Sequence, residues 1–165
     1  MMEFSLLQPK YHDRKSFDCG LPELNTYLQK VANQDQQRDL SRTYVLADNS
    51  LIIGYYTLSA HAVSKENLPD RSKLGAYNDI PFLLLGKLAV DLRYQGKGYG
   101  DALIFHAFHT TVDAAEKVGI LGMVVDAVNE RAVKFYEGFG LIRLQATPYR
   151  LVLPMKTIRS LLSSR

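Results

Sequence analysis

Three closely spaced glycines, Gly96, Gly98 and Gly100, lie between an apolar segment and a stretch of helical periodicity. Glycine readily takes positive φ and lets the backbone approach a ligand closely. Consecutive N–H groups in such a turn, together with the positive end of the following helix, can surround an anion. The spacing therefore predicts a site for a phosphate or pyrophosphate group at this turn.

Two common phosphate-binding motifs do not account for the turn. The P-loop requires Ser or Thr after its Gly-Lys pair, but Gly96-Lys97 is followed by Gly98. The dinucleotide fingerprint requires Gly or Ala three positions after its second glycine, but that position holds Asp101, and the glycine comes one residue earlier at Gly100. The sequence excludes the first motif and disfavours the second.

The elements around this turn follow the order β–α–β–β–β–α–β–α–β, as alternation, helical spacing and turn residues indicate. The predicted strands cover about residues 3–8, 43–47, 51–58, 82–90 and 120–125, with a late strand or hairpin over 142–153. The predicted helices cover about residues 22–35, the stretch from the glycines to Gly119, and 130–137. A polar connection over residues 64–79 reads as exposed. The order indicates an α/β domain.

The composition of the 165-residue chain suits one compact domain, since 47% of its residues are hydrophobic. The net charge of +3 permits an anionic partner without identifying one. The lone cysteine, Cys19, excludes an internal disulfide and is consistent with a reducing compartment. No apolar run approaches the ~20 residues that cross a bilayer, and the histidines form no metal-binding pattern. We therefore expect a cytoplasmic protein with no membrane segment and no metal.

The glycine turn resembles the Gln/Arg-x-x-Gly-x-Gly/Ala signature of the GNAT family of N-acetyltransferases, through Gln95, Gly98 and Gly100. In that family the loop amides hold the pyrophosphate of acetyl-coenzyme A (acetyl-CoA). The resemblance implies that the anion predicted at this turn is that pyrophosphate, and that acetyl-CoA is the cosubstrate.

A second segment resembles the distal motif of the same family, Asn-x-x-Ala-x-x-Phe-Tyr-x-x-x-Gly-Phe. It is matched by Asn129, Ala132, Phe135, Tyr136 and Gly140. Leu141 stands where the final phenylalanine is usual, which we interpret as a packing change. Asn129 is also a suitable N-cap for the short helix, because its side chain can accept from the first free amides. Two matched motifs in the correct order indicate the family more strongly than the turn alone.

This resemblance implies the GNAT acyl-CoA N-acyltransferase fold, an α/β fold with a central mixed, splayed β-sheet flanked by helices, over a single domain of residues 1–165. It implies Tyr136 as the catalytic group. The cofactor-binding residues that it implies are Leu88, Ala89, Val90, Gln95, Gly96, Lys97, Gly98, Tyr99, Gly100, Asn129 and Phe135.

Most of the chain resembles, more narrowly, the acetyltransferase toxins that pair with ribbon-helix-helix antitoxins and acetylate aminoacyl-tRNA. The likeness rests on the segments Phe17-Asp18-Cys19-Gly20, Thr43-Tyr44-Val45, Gly54-Tyr55-Tyr56-Thr57-Leu58, Leu85-Gly86-Lys87-Leu88-Ala89-Val90-Asp91 and Phe135-Tyr136. It implies a toxin that inhibits translation by acetylating the α-amino group of charged tRNA. The implied partners are aminoacyl-tRNA, a cognate ribbon-helix-helix antitoxin and a second copy of the chain in a homodimer.

Three cations are the candidate tRNA contacts under this resemblance: Lys87, Arg93 and Arg42. Lys87 stands where the subgroup often has arginine, so it keeps the charge and loses the bidentate fork. A wider set of candidate cations comprises Arg14, Lys15, Arg38, Lys65, Arg71, Lys73, Arg143 and Arg150. Scattered cations are usually a solvated surface, so the sequence leaves open whether these form a patch.

The chemistry of the transfer assigns roles to these groups. An α-amino group has a pKa of about 7.7–8.0, so it needs little help from a general base. Charge develops on the carbonyl oxygen, which backbone amides near Leu88 and Val90 would stabilise. Charge then develops on sulfur, where the family parallel places Tyr136 as the general acid. Since tyrosine has a pKa of about 10 and a thiol about 8.5, hydrogen bonding to the thiolate is the larger contribution expected of Tyr136.

Two alternatives remain at the level of sequence. The same transfer could act on a small amine, a peptide amine or a protein lysine. The chain could also be an inactive acyl-CoA-binding module that regulates a partner. Labelled small amines without labelled tRNA would indicate the first alternative, and bound cofactor without turnover would indicate the second.

Overall fold

The computed structural model describes residues 1–71 and 74–164. Its strands are β1 (Met2–Leu6), β2 (Arg42–Asp48), β3 (Leu51–Ser64), β4 (Asp79–Val90), β5 (Gly122–Asp126), β6 (Ile142–Arg143) and β7 (Arg150–Pro154). They form a sheet in the order β1-β2-β3-β4-β5-β7-β6. β4 and β5 run parallel, whereas β1–β2, β2–β3, β5–β7 and β6–β7 are antiparallel. The predicted mixed sheet is therefore confirmed.

The helices are α1 (Pro22–Thr26), α2 (Ala32–Gln37), α3 (Tyr99–Ala115), α4 (Glu130–Glu137) and α5 (Met155–Ser163). A π-helical turn, Tyr27–Val31, joins α1 to α2, so the helix predicted over residues 22–35 is present with a wider turn at its centre. Shorter 3-10 turns cover Lys65–Asn67 and Leu92–Tyr94. The sequence prediction omitted α5, whose buried Met155 and Ile158 show the spacing of an amphipathic helix.

Backbone contacts divide the chain into two compact units, and the first comprises residues 1–59 and 87–107. Its core includes Phe17, Leu28 and Tyr55, which are buried together with the inner residues of β2 and β3. The rings of Phe17 and Tyr55 meet edge to face, with centroids 5.5 Å apart. The buried Tyr55 hydroxyl donates to the Leu24 carbonyl oxygen at 2.7 Å, so its polar atom is satisfied. This core holds the helical segment α1–α2 against β2 and β3.

The second unit comprises residues 60–86 and 108–165. Val63, Phe82 and Val124 form part of its core, with partners from β7 and from the connection between β3 and β4. That connection is exposed over most of its described length, as predicted. Leu68 is the exception, since it is 5% exposed and packs into this core. The connection is therefore held to the sheet by a buried side chain that the sequence prediction did not single out.

The pairing of β4 changes along its length. Its parallel pairing with β5 covers Phe82–Leu85, and β4 continues beyond that pairing to Val90. Near its end, β4 lies close to β3, where a Cβ atom on Gly54 would lie 2.9 Å from the carbonyl oxygen of Ala89. Glycine at position 54 is thus required by close packing of two strands. The continuation of β4 past its pairing with β5 is the feature that the predicted splayed sheet requires.

Candidate active site

The glycine turn, residues 95–100, connects the end of β4 to the beginning of α3. Gly96 and Gly98 have φ of 76° and 89°, a left-handed backbone that favours glycine. A Cβ atom built on either residue would meet nothing within 4 Å, so the space beside the turn is open. The turn leads into a helix of 17 residues that starts at Tyr99. An exposed turn at a helix N-terminus is the arrangement that binds a phosphate through backbone N–H groups.

The side chain of Gln95 ties this turn to two other segments. Its Nε2 donates to the carbonyl oxygen of Val90 at 2.8 Å and to that of Cys19 at 3.0 Å. Val90 ends β4, and Cys19 lies in the segment before α1. These contacts give Gln95 a positioning role, while direct contact with the cofactor stays a prediction.

Asp91 directly follows β4 and is 1% exposed. Its carboxylate accepts hydrogen bonds from the backbone and side chain of Arg93 and from the backbone of Asp18. Its Oδ1 accepts from the backbone N and from Nε of Arg93, both at 2.9 Å. Its Oδ2 accepts from Arg93 Nη2 at 3.0 Å and from the backbone N of Asp18 at 3.1 Å. Burial opposes ionisation of Asp91, but these bonds outweigh burial and lower its pKa. A buried carboxylate therefore joins the 3-10 turn and the segment before α1 to β4.

The segment before α1 is closed by reciprocal side-chain hydrogen bonds. Asp18 Oδ1 accepts from the Gly20 backbone N and from Asn25 Nδ2, both at 2.9 Å. Asn25 Oδ1 in turn accepts from the Cys19 backbone N at 2.9 Å. The Leu92 backbone N then donates to the Asp18 carbonyl oxygen at 2.8 Å. The Phe17-Asp18-Cys19-Gly20 segment thus supports the base of the glycine turn, a role that the sequence did not reveal.

The backbone of β4 directs its last amides to two different edges. The Asp91 backbone N donates to β3 at 2.8 Å, and the Ala89 carbonyl oxygen also faces β3 at Gly54. Because successive backbone groups alternate along a strand, the N–H groups of Leu88 and Val90 point to the opposite edge of β4. These are the amides predicted to stabilise the oxyanion, and their direction is compatible with that role.

Lys87 lies over an aromatic ring at the π-helical turn. Its Nζ is 4.2 Å from the centroid of the Tyr27 ring, a cation–π contact. The Tyr27 hydroxyl donates to Asp35 Oδ2 at 2.8 Å, and burial is the main cause that raises the pKa of Tyr27 to about 12. The lysine is therefore held by protein contacts, and its contact with tRNA stays a prediction.

The two other candidate tRNA contacts are also bonded within the protein. Arg42 Nη2 donates to Asp39 Oδ1 at 2.8 Å and Nη1 donates to the Gln36 carbonyl oxygen at 3.1 Å, at the end of α2. Arg93 is paired with Asp91, although half of its side chain is exposed. Of the wider set, Arg143 pairs with Glu130, Lys65 donates to the Gly75 carbonyl oxygen, and Arg14, Lys15, Arg38 and Arg71 are half-buried or exposed. Lys73 lies outside the described residues.

In the second unit, α4 carries the residues of the distal motif. Asn129 Oδ1 accepts from the Ala132 backbone N at 2.9 Å, which confirms the predicted N-cap. Tyr136 is 3% exposed. Burial raises the pKa of its hydroxyl far above the ordinary value, and the charge of Asp126 raises it further. Tyr136 therefore keeps its proton at neutral pH and can act as a hydrogen-bond donor, while its catalytic role stays a prediction.

Aromatic contacts fix the same helix. The Phe135 ring lies 5.3 Å from that of Tyr136 and 5.2 Å from that of Phe139, both edge to face. Phe139 in turn lies 6.3 Å from Phe108 on α3. These contacts hold the Tyr136 ring in a defined orientation. A contact of Phe135 with the cofactor is untested.

A polar cluster that the sequence did not single out lies on three strands of the second unit. Arg150 on β7 donates from Nε and Nη2 to Oδ1 and Oδ2 of Asp126 on β5, at 2.8 and 3.1 Å. Its Nη1 lies 3.0 Å from His61 Nε2 on β3. The residues lie far apart in sequence, and an antiparallel register that pairs Asp126 with Arg150 is the signal that could have indicated the contact. We call these three residues the Asp126 cluster.

Among residues 1–71 and 74–164, no group of three His, Cys, Asp or Glu side chains is arranged to hold a metal ion. Within the same residues, no helix is long and apolar enough to span a membrane.

The comparison with protein families agrees with this geometry. The sequence profile described as the Acetyltransferase (GNAT) domain matches residues 39–140, more than half of the chain. The chain therefore belongs to the GNAT acetyltransferase family, and the predicted fold is confirmed. It is an acetyl-CoA-dependent N-acetyltransferase by class.

Within the family, the chain is similar to toxins that act on tRNA. A "tRNA-acetylating toxin" of Mycobacterium tuberculosis is 33% identical over 150 residues, covering 91% of this chain and 90% of that protein. A structure of AtaT complexed with acetyl-methionyl-tRNAfMet has a TM-score of 0.91 and 33% identity, covering 98% of this chain and 99% of that one. A tyrosine-to-phenylalanine mutant of AtaT, bound to the C-terminus of the antitoxin AtaR and acetyl-CoA, has a TM-score of 0.85 and 31% identity, covering 99% of each chain.

Proposed function

We propose that this protein is the toxin of a toxin–antitoxin system and that it acetylates the α-amino group of aminoacyl-tRNA, which inhibits translation. The observation that carries the proposal is the open glycine turn at the start of α3, with Gly96 and Gly98 in left-handed conformations. It occurs in a chain that is similar over nearly its whole length to tRNA-acetylating toxins. Acetylation of the amine removes the nucleophile that peptide-bond formation needs.

The glycine turn and the end of β4 bind the acetyl donor. The N–H groups of the glycine turn, from Gln95 to Gly100, hold the pyrophosphate of acetyl-CoA, and the N-terminus of α3 adds its positive potential. The N–H groups of Leu88 and Val90, which point to the edge of β4 opposite β3, stabilise the oxyanion that forms on the thioester carbonyl. Lys97 and Tyr99 border the donor site, whereas the predicted contact of Ala89 is limited by its burial in the first core and by its carbonyl oxygen, which faces β3.

Tyr136 is the group that serves the leaving sulfur. The neutral amine attacks the thioester carbon, the C–N bond forms, and the C–S bond breaks as electrons pass to sulfur. Tyr136, which stays protonated because it is buried, donates a hydrogen bond to that sulfur and lowers the energy of the thiolate. The proton lost by the amine balances the thiolate, either directly or through solvent. Asn129 and Phe135 bind near the pantetheine.

The partners and organisation follow from the same proposal. The structure of AtaT with the C-terminus of AtaR supports an antitoxin for this chain too, for which we propose the ribbon-helix-helix type. We further propose a homodimer that works in the cytoplasm, where charged tRNA is found, and a single N-acetyltransferase domain over residues 1–165. The match over residues 39–140 draws on both compact units, which supports the single domain.

The test is transfer of label from acetyl-CoA to a pool of charged tRNAs. Uncharged tRNA is the matched control, because it has the same phosphates and lacks the amine. We expect label on charged tRNA alone, and separation of the tRNAs identifies the acceptors. Label on small amines or on protein lysines with none on tRNA would replace this proposal with the first alternative.

The salt dependence of KM gives a second test of the proposal. Arg42, Arg93 and Lys87 would meet phosphates on the acceptor, so the KM for charged tRNA should rise steeply with salt. The KM for acetyl-CoA should rise much less, since one pyrophosphate is bound largely by backbone amides. A KM for tRNA that is flat between low and moderate salt would contradict a phosphate-contacting surface.

A further inference from the structure

The Asp126 cluster continues the apolar face of the second core. Side chains two residues apart on a strand share a face. His61, Asp126 and Arg150 each lie two residues from a buried valine of that core on the same strand, namely Val63, Val124 and Val152. The cluster is thus the polar end of a face that is otherwise apolar.

Gly86 lies on the same face of the sheet as the cluster. β4 lies between β3 and β5, and Leu84 is in register with Val124, so Gly86 lies on the cluster's face two residues further along β4. Glycine has no side chain, so β4 presents none at position 86 on this face, between β5 and β3.

The hydrogen bonds of the cluster show which of its acceptor positions are already used. A guanidinium can only donate, so in this contact His61 Nε2 is the acceptor and Arg150 the donor. The side chain of Asp126 is 42% exposed and that of Arg150 is 24% exposed. A carboxylate has about four acceptor positions, and Arg150 uses two of those on Asp126. Asp126 can therefore accept further hydrogen bonds from a ligand.

The cluster adjoins the helix that carries the group proposed to serve the sulfur. Asp126 ends β5, and α4, which carries Tyr136, begins at Glu130. The negative charge of Asp126 also raises the pKa of the Tyr136 hydroxyl. Among the described residues, the recorded partners around Asp126 are Arg150 on β7, which bonds it directly, His61 on β3, which bonds Arg150, and Tyr136 on α4, whose pKa its charge raises. A ligand bound at Asp126 thus lies near the proposed reaction centre, beside one negative and one positive charge.

We propose that Asp126 binds the α-amino group of the acceptor and that Arg150 keeps this amine in its neutral, reactive form. A carboxylate alone would favour the ammonium ion, which has no lone pair and cannot attack a thioester. The guanidinium beside it cancels that preference, so the amine is held by hydrogen bonds without being trapped as a cation. His61 is a positioning residue for Arg150. This inference rests on the proposed function and names the residue that receives its acceptor.

The pH dependence of kcat tests the role of Arg150. In Arg150→Gln the positive charge is lost, so the bound ammonium is stabilised and the acid limb of kcat moves to higher pH, by about one unit. At pH 7 the kcat should fall about tenfold and should recover at pH 9. The control is Arg159→Gln on the exposed face of α5, which should leave the profile unchanged. An unshifted acid limb in Arg150→Gln overturns the proposal, and Arg150→Lys, which keeps the charge, should restore most of the wild-type profile.

The affinity for acceptor tests the role of Asp126. In Asp126→Asn we expect the KM for charged tRNA to rise about tenfold, because a charge-assisted hydrogen bond is replaced by a weaker one. Acetyl-CoA affinity, measured by calorimetry, should stay within twofold, which also shows that the variant is folded. The control is Asp113→Asn, an exposed carboxylate on α3. If wild type labels charged tRNA but Asp126→Asn keeps its KM, this inference alone fails, whereas absence of label with wild type removes the proposed function.

Discussion

Gln95 Nε2 lies 2.8 Å from the carbonyl oxygen of Val90 and thereby joins the first residue of the glycine turn to the last residue of β4. The same nitrogen bonds the carbonyl oxygen of Cys19 at 3.0 Å. The position that the family signature requires to be Gln or Arg is thus one that donates to two backbone carbonyls. The shape of the turn, and hence the direction of its N–H groups, depends on a side chain that need not touch the ligand.

Gln95→Ala should weaken acetyl-CoA binding specifically. The change removes two hydrogen bonds of about 1 kcal/mol each, so the KM for acetyl-CoA should rise by up to about thirtyfold. The matched control is a donor without the pyrophosphate, S-acetyl-pantetheine, whose kcat/KM should stay within twofold of the wild-type value. An equal loss with both donors would mean that Gln95 supports the fold in general and not the pyrophosphate site.

Gly98→Ala should damage the turn through backbone strain. The φ of 89° is unfavourable for alanine by about 1–2 kcal/mol, and nothing within 4 Å of the new Cβ would clash. We expect some loss of stability together with weaker binding of acetyl-CoA, because the strain is relieved by relaxing the turn that holds the N–H groups. Gly119→Ala is the matched control, because its surroundings are equally open and its φ is not positive. Calorimetric titration with acetyl-CoA separates the two variants, and equal affinities would contradict the role of the turn.

Tyr136→Phe should fold and bind acetyl-CoA but lose turnover. Only the hydroxyl is removed, and the ring contacts with Phe135 remain available. A positioned proton donor contributes about 10²-fold or more to rate, so kcat should fall by at least that factor and growth inhibition on expression should be relieved. Undiminished toxicity with an equally abundant variant would remove Tyr136 from the mechanism.

The same residue makes a pH prediction. Because burial and then Asp126 raise the pKa of Tyr136, its hydroxyl stays protonated throughout the neutral and mildly alkaline range. The rate should therefore show no alkaline decline from Tyr136 below about pH 10. A fall in kcat near pH 8, with the affinity for acetyl-CoA unchanged over the same pH range, would contradict a hydroxyl that stays protonated.

Asp91→Asn should lower stability in a pH-dependent way. The pKa of Asp91 is below its ordinary value of about 3.9, so its stabilising contribution is present above that pH and is lost as the pH falls through the lower folded pKa. We expect a cost of about 1–3 kcal/mol at pH 7 that shrinks towards pH 3. Urea unfolding of both proteins at the two pH values measures the difference. Asp113→Asn should show little change at either pH, and a cost for Asp91→Asn that is constant with pH would contradict the assignment.

Much of the fold could be predicted from sequence, because its signals are local. Turn residues and β-propensity placed β2 and the beginning of β3, although β3 continues to Ser64, beyond its predicted end at residue 58. The glycine turn separated β4 from α3 at the observed position. The N-cap at Asn129 followed from the residue type alone. The π-helical turn and α5 were not predicted, since a wider helical turn has no residue signature and α5 owes its burial to packing on the second core.

The candidate site also combines features that local sequence encodes with contacts that only the folded chain makes. The sequence by itself determined the family and the glycine turn, because those depend on residue types at short, fixed spacings, and the same kind of spacing predicts Tyr136 as the catalytic group. Only the tertiary structure decided that Asp91 is a buried carboxylate, that Gln95 supports the turn, and that Arg150 links Asp126 to His61. These contacts join residues separated by tens of positions, and their geometry follows from sheet register and packing, which no local pattern encodes.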